Sequence, residues 1–157
     1  MSKTTPATQA LAKAGISFEL ASYDYDPNAE RVGLQAAEAM GVSPGVVFKT
    51  LMAELDGKPV CAIVPSDEEV NMKKLAAALG GKSAHMMKPA DAERLTGYKV
   101  GGISPLGQRK VVPTAIDELA TLYDEIYLNG GQRGLQIRMK PDDLVRFLGA
   151  RTADLVR

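Results

Sequence analysis

The sequence predicts an α/β (α+β) fold: a mixed, curved β-sheet or partial barrel surrounded by short helices. Three observations carry that expectation. Short amphipathic segments of helical spacing are interspersed with at least six short apolar or alternating segments of strand character. Fifteen glycines and nine prolines punctuate the chain between them. Asp56-Gly57, set between two β-branched runs, is a hairpin signal, so part of the sheet is antiparallel. Periodicity does not give the strand order.

Taken in order, Thr5 can cap a helix with Pro6 in its first turn, Ala7, Leu11 and Ala14 share one face, and Gly15 ends it. Ile16 to Leu20 alternates with period two and reads as a strand, followed by a loop from Tyr23 to Pro27. Leu34 to Met40 is a short helix ended by Gly41. Val46 to Leu55 and Val60 to Val64 are the arms of the hairpin. Asn71 caps a helix through Leu79, with Gly80-Gly81 beyond it. Ala84 to Met87 is a short strand and Pro89 to Leu95 a helix. Val111-Val112, Ile126 to Leu128 and Leu135 to Met139 read as strands, and Pro141 to Leu148 is a last helix closed by Gly149.

The 157 residues suit one domain spanning 1–157. Nineteen basic and nineteen acidic residues cancel, which excludes a broadly cationic nucleic-acid coat but leaves room for a local basic patch. One cysteine, Cys61, excludes an internal disulfide, and a single histidine, His85, excludes zinc sites built from several Cys or His ligands. No apolar run approaches the roughly 20 residues of a membrane span, and no signal peptide is read at the start. The expectation is a cytoplasmic protein with no metal, cofactor or membrane partner.

Chemistry is most legible in the glycine-rich loops 97–107 and 129–134. Gly101-Gly102 can serve as a tight turn, or bring backbone N–H groups to an oxyanion or phosphate. The dinucleotide and Walker patterns are absent. Lys49, inside an apolar strand, either points to solvent or lines a pocket, and Thr50 carries the same two readings. Cys61 reads as an inert core thiol, His85 has no nucleophile motif beside it, and the carboxylates from Asp24 to Asp26 and Asp67 to Glu69 read as solvated. An enzyme with this inventory works by positioning and electrostatics on a substrate that is already activated or brings its own nucleophile.

The ordered blocks Thr5-Pro6-Ala7, Phe48-Lys49-Thr50-Leu51, Thr96-Gly97-Tyr98, Gly101-Gly102-Ile103-Ser104-Pro105-Leu106-Gly107-Gln108 and Arg133-Gly134-Leu135 resemble the YbaK/EbsC family of aminoacyl-tRNA editing proteins. That family is related to the editing domain inserted in bacterial prolyl-tRNA synthetases. The resemblance implies a trans-editing deacylase that removes cysteine from mischarged tRNA(Pro), the substrate's own thiol attacking its ester. It also implies no cofactor, contact with the acceptor 3′ end of an aminoacyl-tRNA, and a transient complex with prolyl-tRNA synthetase. By the motif match Lys49 and Gly101 are catalytic: Lys49 positions the 3′-terminal nucleotide or aminoacyl group, and the Gly101 N–H meets the carbonyl oxygen. Tyr23, Val32, Thr50, Gly102, Ser104, Asn129, Gly131, Arg133 and Gln136 border the substrate. Arg109, Lys110, Arg133 and Arg138 are the basic residues offered to the tRNA.

Three positions depart from the family pattern. Val32 stands where an aromatic is common, Asn129 where serine is typical, and Gln136 where an acidic residue follows Arg-Gly-Leu. Shortening Phe to Val enlarges a pocket, and exchanging a carboxylate for an amide removes a charge. These departures leave two alternatives beside cysteine removal: a deacylase for another small amino acid such as alanine, or a non-catalytic module that binds tRNA or a nucleotide.

Overall fold

The protein is described by a computed structural model covering residues 4–26, 28 and 32–157, the side chains of 32 and 33 excepted. The described residues form five α-helices and eight strands. In chain order these are α1 (Pro6–Lys13), β1 (Glu19–Ser22), α2 (Val32–Met40), β2 (Phe48–Leu55), β3 (Lys58–Pro65), α3 (Met72–Ala78), β4 (Ala84–Met86), α4 (Pro89–Thr96), β5 (Thr114–Asp117), β6 (Ile126–Asn129), β7 (Leu135–Met139), α5 (Pro141–Leu148) and β8 (Arg151–Ala153). The strands make two sheets, ordered β1-β7-β6 and β4-β2-β3-β5-β8, and these do not close into a barrel. The larger sheet is mixed: β4-β2-β3 is antiparallel, whereas β3-β5 and β5-β8 are parallel.

Local chemistry accounts for most boundaries. Thr5 caps α1: the Thr8 N–H donates to its hydroxyl and the Thr8 hydroxyl accepts from the Thr5 N–H. Asn71 caps α3 by accepting from the N–H groups of Lys73 and Lys74. Asp56 and Gly57 both take positive φ, 51° and 83°, and join Leu55 to Lys58 in a two-residue turn.

Four expectations change. The first strand begins at Glu19 rather than Ile16, because the Ile16 N–H is used by the Leu11 carbonyl in closing α1. β2 begins at Phe48, since Ser43 and Pro44 wind Pro44–Val46 into a 3₁₀ turn. Val111-Val112 is not a strand: Val111 is 90% exposed, and the pairing with β3 begins at the Pro113 carbonyl, which accepts from the Cys61 N–H at 2.9 Å, and continues through β5. β8, which no periodicity signalled, completes the sheet edge beside β5.

Two cores sandwich the larger sheet. Phe48 and Met52 of β2 join the core that holds Leu11, Leu106, Ile137 and Leu144. Leu51, Ala53 and Leu55 face the opposite way, toward Leu75 of α3. At one end β2 also touches the smaller sheet, through a parallel bridge between Val47 and Tyr127. The split between the sheets just beyond that bridge is where the site lies.

Candidate active site

A cavity of about 350 Å³ opens in this split. Tyr23 and Tyr25 come from the loop after β1, Val47 to Met52 from β2 and its approach, and Met86, Met87, Pro89 and Ala92 from β4 and α4. Val100, Gly101 and Ile103 come from the glycine loop, with Asn129 of β6, Gln136 of β7 and Ala36 of α2. Six residues expected from the sequence therefore meet here: Tyr23, Lys49, Thr50, Gly101, Asn129 and Gln136.

The glycine loops are held from below. Thr5 donates from its hydroxyl to the Gly130 carbonyl at 2.5 Å, and buried Tyr98 donates to the Leu106 carbonyl at 2.5 Å. Asn129 ties the two loops together, its amide donating to the Gly101 carbonyl at 3.1 Å while its side-chain oxygen accepts from the Gly131 N–H at 2.7 Å. Gly131 has φ +93°, and a Cβ there would lie 2.8 Å from the Tyr98 ring, so the motif glycine serves close packing. Gly101 has φ +89°, and a Cβ would lie 2.5 Å from the Tyr25 hydroxyl. Its N–H is bonded to no group among the described residues, whereas the Gly102 N–H closes a turn onto the Lys99 carbonyl at 2.8 Å.

The other expected residues sit around this centre. Gly102 packs against the backbone at Arg133, and Gly102, Gly131 and Arg133 are not part of the cavity lining. Arg133 donates from Nε to the Val100 carbonyl at 2.8 Å, and its guanidinium lies over the Tyr25 ring, 5.4 Å from the centroid. Ser104 is fully buried; its hydroxyl accepts from the Leu106 N–H and shapes the loop from within. The side chain of Val32 lies outside the described residues. Among the proposed tRNA contacts, Arg109 and Lys110 are exposed, whereas Arg138 is engaged by Glu19 and Glu125.

The hydroxyl and amine groups of the cavity lining are those of Tyr23, Tyr25, Thr50 and Lys49, with no carboxylate or imidazole among the described lining residues to act as their base. Among the described residues, no Ser, Cys, His, Asp or Glu lines the cavity. Cys61 is buried in β3 with its thiol pushed up to about 12 by loss of solvent, a hydrogen bond with Thr114 opposing weakly. His85 faces a neighbouring groove and lies 3.0 Å from Glu54. Partial burial raises the Tyr23 phenol above its ordinary value, opposed by the Gln136 side chain, so the phenol keeps its proton near neutrality. Among the described residues three buried side-chain polar atoms have no hydrogen-bond partner, Thr50 Oγ1, Gln136 Oε1 and Arg138 Nε. The first two belong to cavity residues, and the third faces Glu125 at 3.4 Å outside the cavity. Lys49 is half-buried on the opposite face of β2 from Thr50, bordering both the cavity and the groove beside it.

Comparison with known proteins decides the family. The family model described as "Aminoacyl-tRNA editing domain" matches residues 26–147. The chain belongs to the aminoacyl-tRNA editing family. Among editing-family relatives, it is 38% identical over 120 residues to EbsC of Enterococcus faecalis, a candidate Cys-tRNA(Pro)/Cys-tRNA(Cys) deacylase by name; the match covers 76% of this chain and 73% of that protein. It is 27% identical over 142 residues to ProXp-y of Escherichia coli, named as a multifunctional Ser/Thr-tRNA deacylase, covering 87% of this chain and 83% of that one. A crystal structure described as a candidate trans-editing enzyme for prolyl-tRNA synthetase superposes with a TM-score of 0.85 at 26% identity, covering 99% of both chains.

Sequence reasoning missed Tyr25 and the methionines Met86 and Met87 as cavity residues of this editing fold. Tyr25 carried one signal, its place two residues after Tyr23 in an acidic loop. The methionines carried none, because only the end of β4 brings them over the cavity.

Proposed function

We propose that the protein is a trans-editing deacylase that removes cysteine from mischarged tRNA(Pro). The observation that carries this reading is the cavity itself: an apolar recess with unpartnered polar atoms and, among its described lining residues, no thiol, imidazole or carboxylate to attack an ester or activate a nucleophile. An aminoacyl ester is already activated, and a cysteinyl ester brings its own thiol. On this reading the sulfur bonds to the ester carbonyl carbon and the bond from that carbon to the ribose oxygen breaks. The thiol proton passes to the departing 3′ hydroxyl, releasing a cyclic thiolactone and free tRNA. The protein supplies geometry and charge stabilisation. The Gly101 N–H is available for the developing oxyanion, and Lys49 borders the mouth where the terminal nucleotide would enter.

The macromolecular partner on this reading is the acceptor 3′ end of an aminoacyl-tRNA. Exposed Arg109 and Lys110 suit salt-sensitive phosphate contacts. Transient association with prolyl-tRNA synthetase belongs to the same proposal, supported by the description of the superposed structure.

The test is deacylation of Cys-, Ala-, Ser- and Pro-tRNA(Pro) at substoichiometric protein, with Lys49→Ala run beside the wild type after a check of folding. Fastest loss of the Cys ester, abolished in the variant, is the expected result. Faster loss of the Ala or Ser ester keeps the deacylase and moves its substrate. No turnover of any ester overturns the enzyme and leaves a tRNA-binding module.

A further inference from the structure

β2 is paired along its whole length on one side and only in part on the other. The Ser66 N–H donates to the Val47 carbonyl at 2.8 Å, so odd-numbered residues of β2 turn their peptide groups toward β3. The even-numbered residues, Thr50 and Met52 among them, turn theirs to the opposite edge. There the Met52 carbonyl accepts from the Met87 N–H at 3.1 Å, and Glu54 lies opposite His85. Two residues further along the same register, Thr50 falls opposite Pro89, which has no N–H and begins α4. From the other direction, the bridge between Val47 and Tyr127 carries β2 toward the smaller sheet before Thr50 is reached. Among the described residues, no strand pairs with Thr50 on that edge. By this register its main-chain N–H and C=O lie on the edge away from β3; the residue lines the cavity, and its hydroxyl is buried without a partner among the described residues. Peptide groups so placed are costly to leave unpaired.

We infer that the aminoacyl group of the substrate enters this gap as a one-residue strand partner of Thr50, its α-ammonium donating to the Thr50 carbonyl and its ester carbonyl accepting from the Thr50 N–H. The inference rests on the reading of the cavity as an aminoacyl-ester site. In a hydrogen-bonded antiparallel pair, one residue exchanges both bonds with its partner, so a single amino acid with a free amine and an acyl carbonyl carries the required donor and acceptor at the required spacing. The unpartnered Gln136 Oε1 offers a further acceptor in the same cavity. The Thr50 N–H then joins the Gly101 N–H as a second donor to the carbonyl as it becomes an oxyanion. The main chain at Thr50 thereby selects esters with a free α-amine whatever their side chain.

Two measurements test this. The first uses wild-type protein on whichever ester of the Cys, Ala and Ser set it cleaves fastest, and on the α-hydroxy analogue of that ester. Each rate is expressed as acceleration over spontaneous hydrolysis of the same ester. Loss of the charge-assisted bond is expected to lower the acceleration by roughly tenfold or more. The second uses Thr50→Pro, which deletes an N–H that no strand pairs with among the described residues, although β2 lies inside the sheet. It is expected to melt close to wild type and to lose roughly tenfold or more in kcat/KM. Equal acceleration of both esters, or a folded Thr50→Pro with wild-type kcat/KM, overturns the inference. Should Thr50→Pro fail to fold, the ester comparison decides alone. Absence of turnover on every α-amino ester would sink the deacylase reading itself, a result distinct from equal turnover of the two analogues.

Discussion

Arg133 grips the carbonyl of Val100: its Nε donates across 2.8 Å from a side chain otherwise exposed to solvent. That carbonyl belongs to the same peptide plane as the Gly101 N–H, and in a trans peptide the two point in opposite directions. Holding the carbonyl outward therefore aims the N–H the other way. Asn129 fixes the next peptide through the Gly101 carbonyl. The Gly101 N–H, one of the two donors proposed for the oxyanion, is thus set by two side chains that need not touch the reacting atoms.

Arg133→Met should consequently lower kcat by roughly tenfold while changing KM little, because the lost contact orients a donor whose bond strengthens in the transition state. The residue is exposed, so the melting temperature should barely move. A change confined to KM, with kcat preserved, would instead make Arg133 a plain tRNA contact. Steady-state kinetics on the preferred aminoacyl-tRNA separates the two.

Gly101→Ala strains the same peptide from within. A side chain at φ +89° is disfavoured by about 1–2 kcal/mol, and the new Cβ would stand 2.5 Å from the Tyr25 hydroxyl. Tyr25 must then move, taking with it the ring over which the Arg133 guanidinium lies. The expected outcome is a folded protein, destabilised by roughly that amount in urea, with kcat/KM lowered by roughly two orders of magnitude. Near-normal turnover would show that the Gly101 N–H is not the donor used.

How much of this was legible beforehand depended on the range of the interaction. Helices α4 and α5 announce themselves by Pro89 and Pro141 in the first turn and by left-handed Gly97 and Gly149 after the last. β5 and β8 did not, because Thr114–Asp117 ends in a fully buried aspartate that resembles a loop residue. Its carboxylate accepts from Leu119 and Leu155, partners no local pattern reveals. The valines at 111 and 112 had the stronger β-propensity, but Pro113 stands between them and the ladder. At the site, Lys49 and Gly101 were legible as motif residues. The opening at Thr50 was not, since it depends on where β4 stops and on Pro89 falling opposite it.

Gln136 gives a prediction that couples stability to activity. Its Oε1 is buried without a partner, and an unsatisfied acceptor costs about 1–3 kcal/mol. Gln136→Leu keeps much of the volume and removes the polar atoms, so it should raise the melting temperature while lowering kcat/KM for the preferred ester. Thermal melts and deacylation assays on one preparation check both signs. A variant that is both less stable and fully active would mean that the amide serves packing against Tyr23 and not the substrate.

Cys61 gives a prediction about pH that separates fold from catalysis. Burial lifts its thiol to about 12, and burial likewise lifts Tyr98 to about 12 from an ordinary value of 10.0. For Cys61 the ordinary value is 9.0. Between the ordinary and the raised values the unfolded chain has lost the proton while the folded chain keeps it. The unfolded state binds fewer protons there, so stability falls as pH rises. The contribution is fully present below pH 9 and is lost as the pH climbs toward 12. Melting temperatures should hold level at neutral pH and decline above about 9, with Tyr98 adding to the slope above about 10. Cys61→Ala should remove the earlier part of that decline, at a cost of about 1 kcal/mol for the small void it leaves. Deacylation at pH 7.5 should be unchanged, since the thiol lies in the core of β3 and outside the cavity lining. A large loss of activity in a folded Cys61→Ala would make this thiol part of the chemistry and overturn a mechanism in which the only attacking sulfur belongs to the substrate.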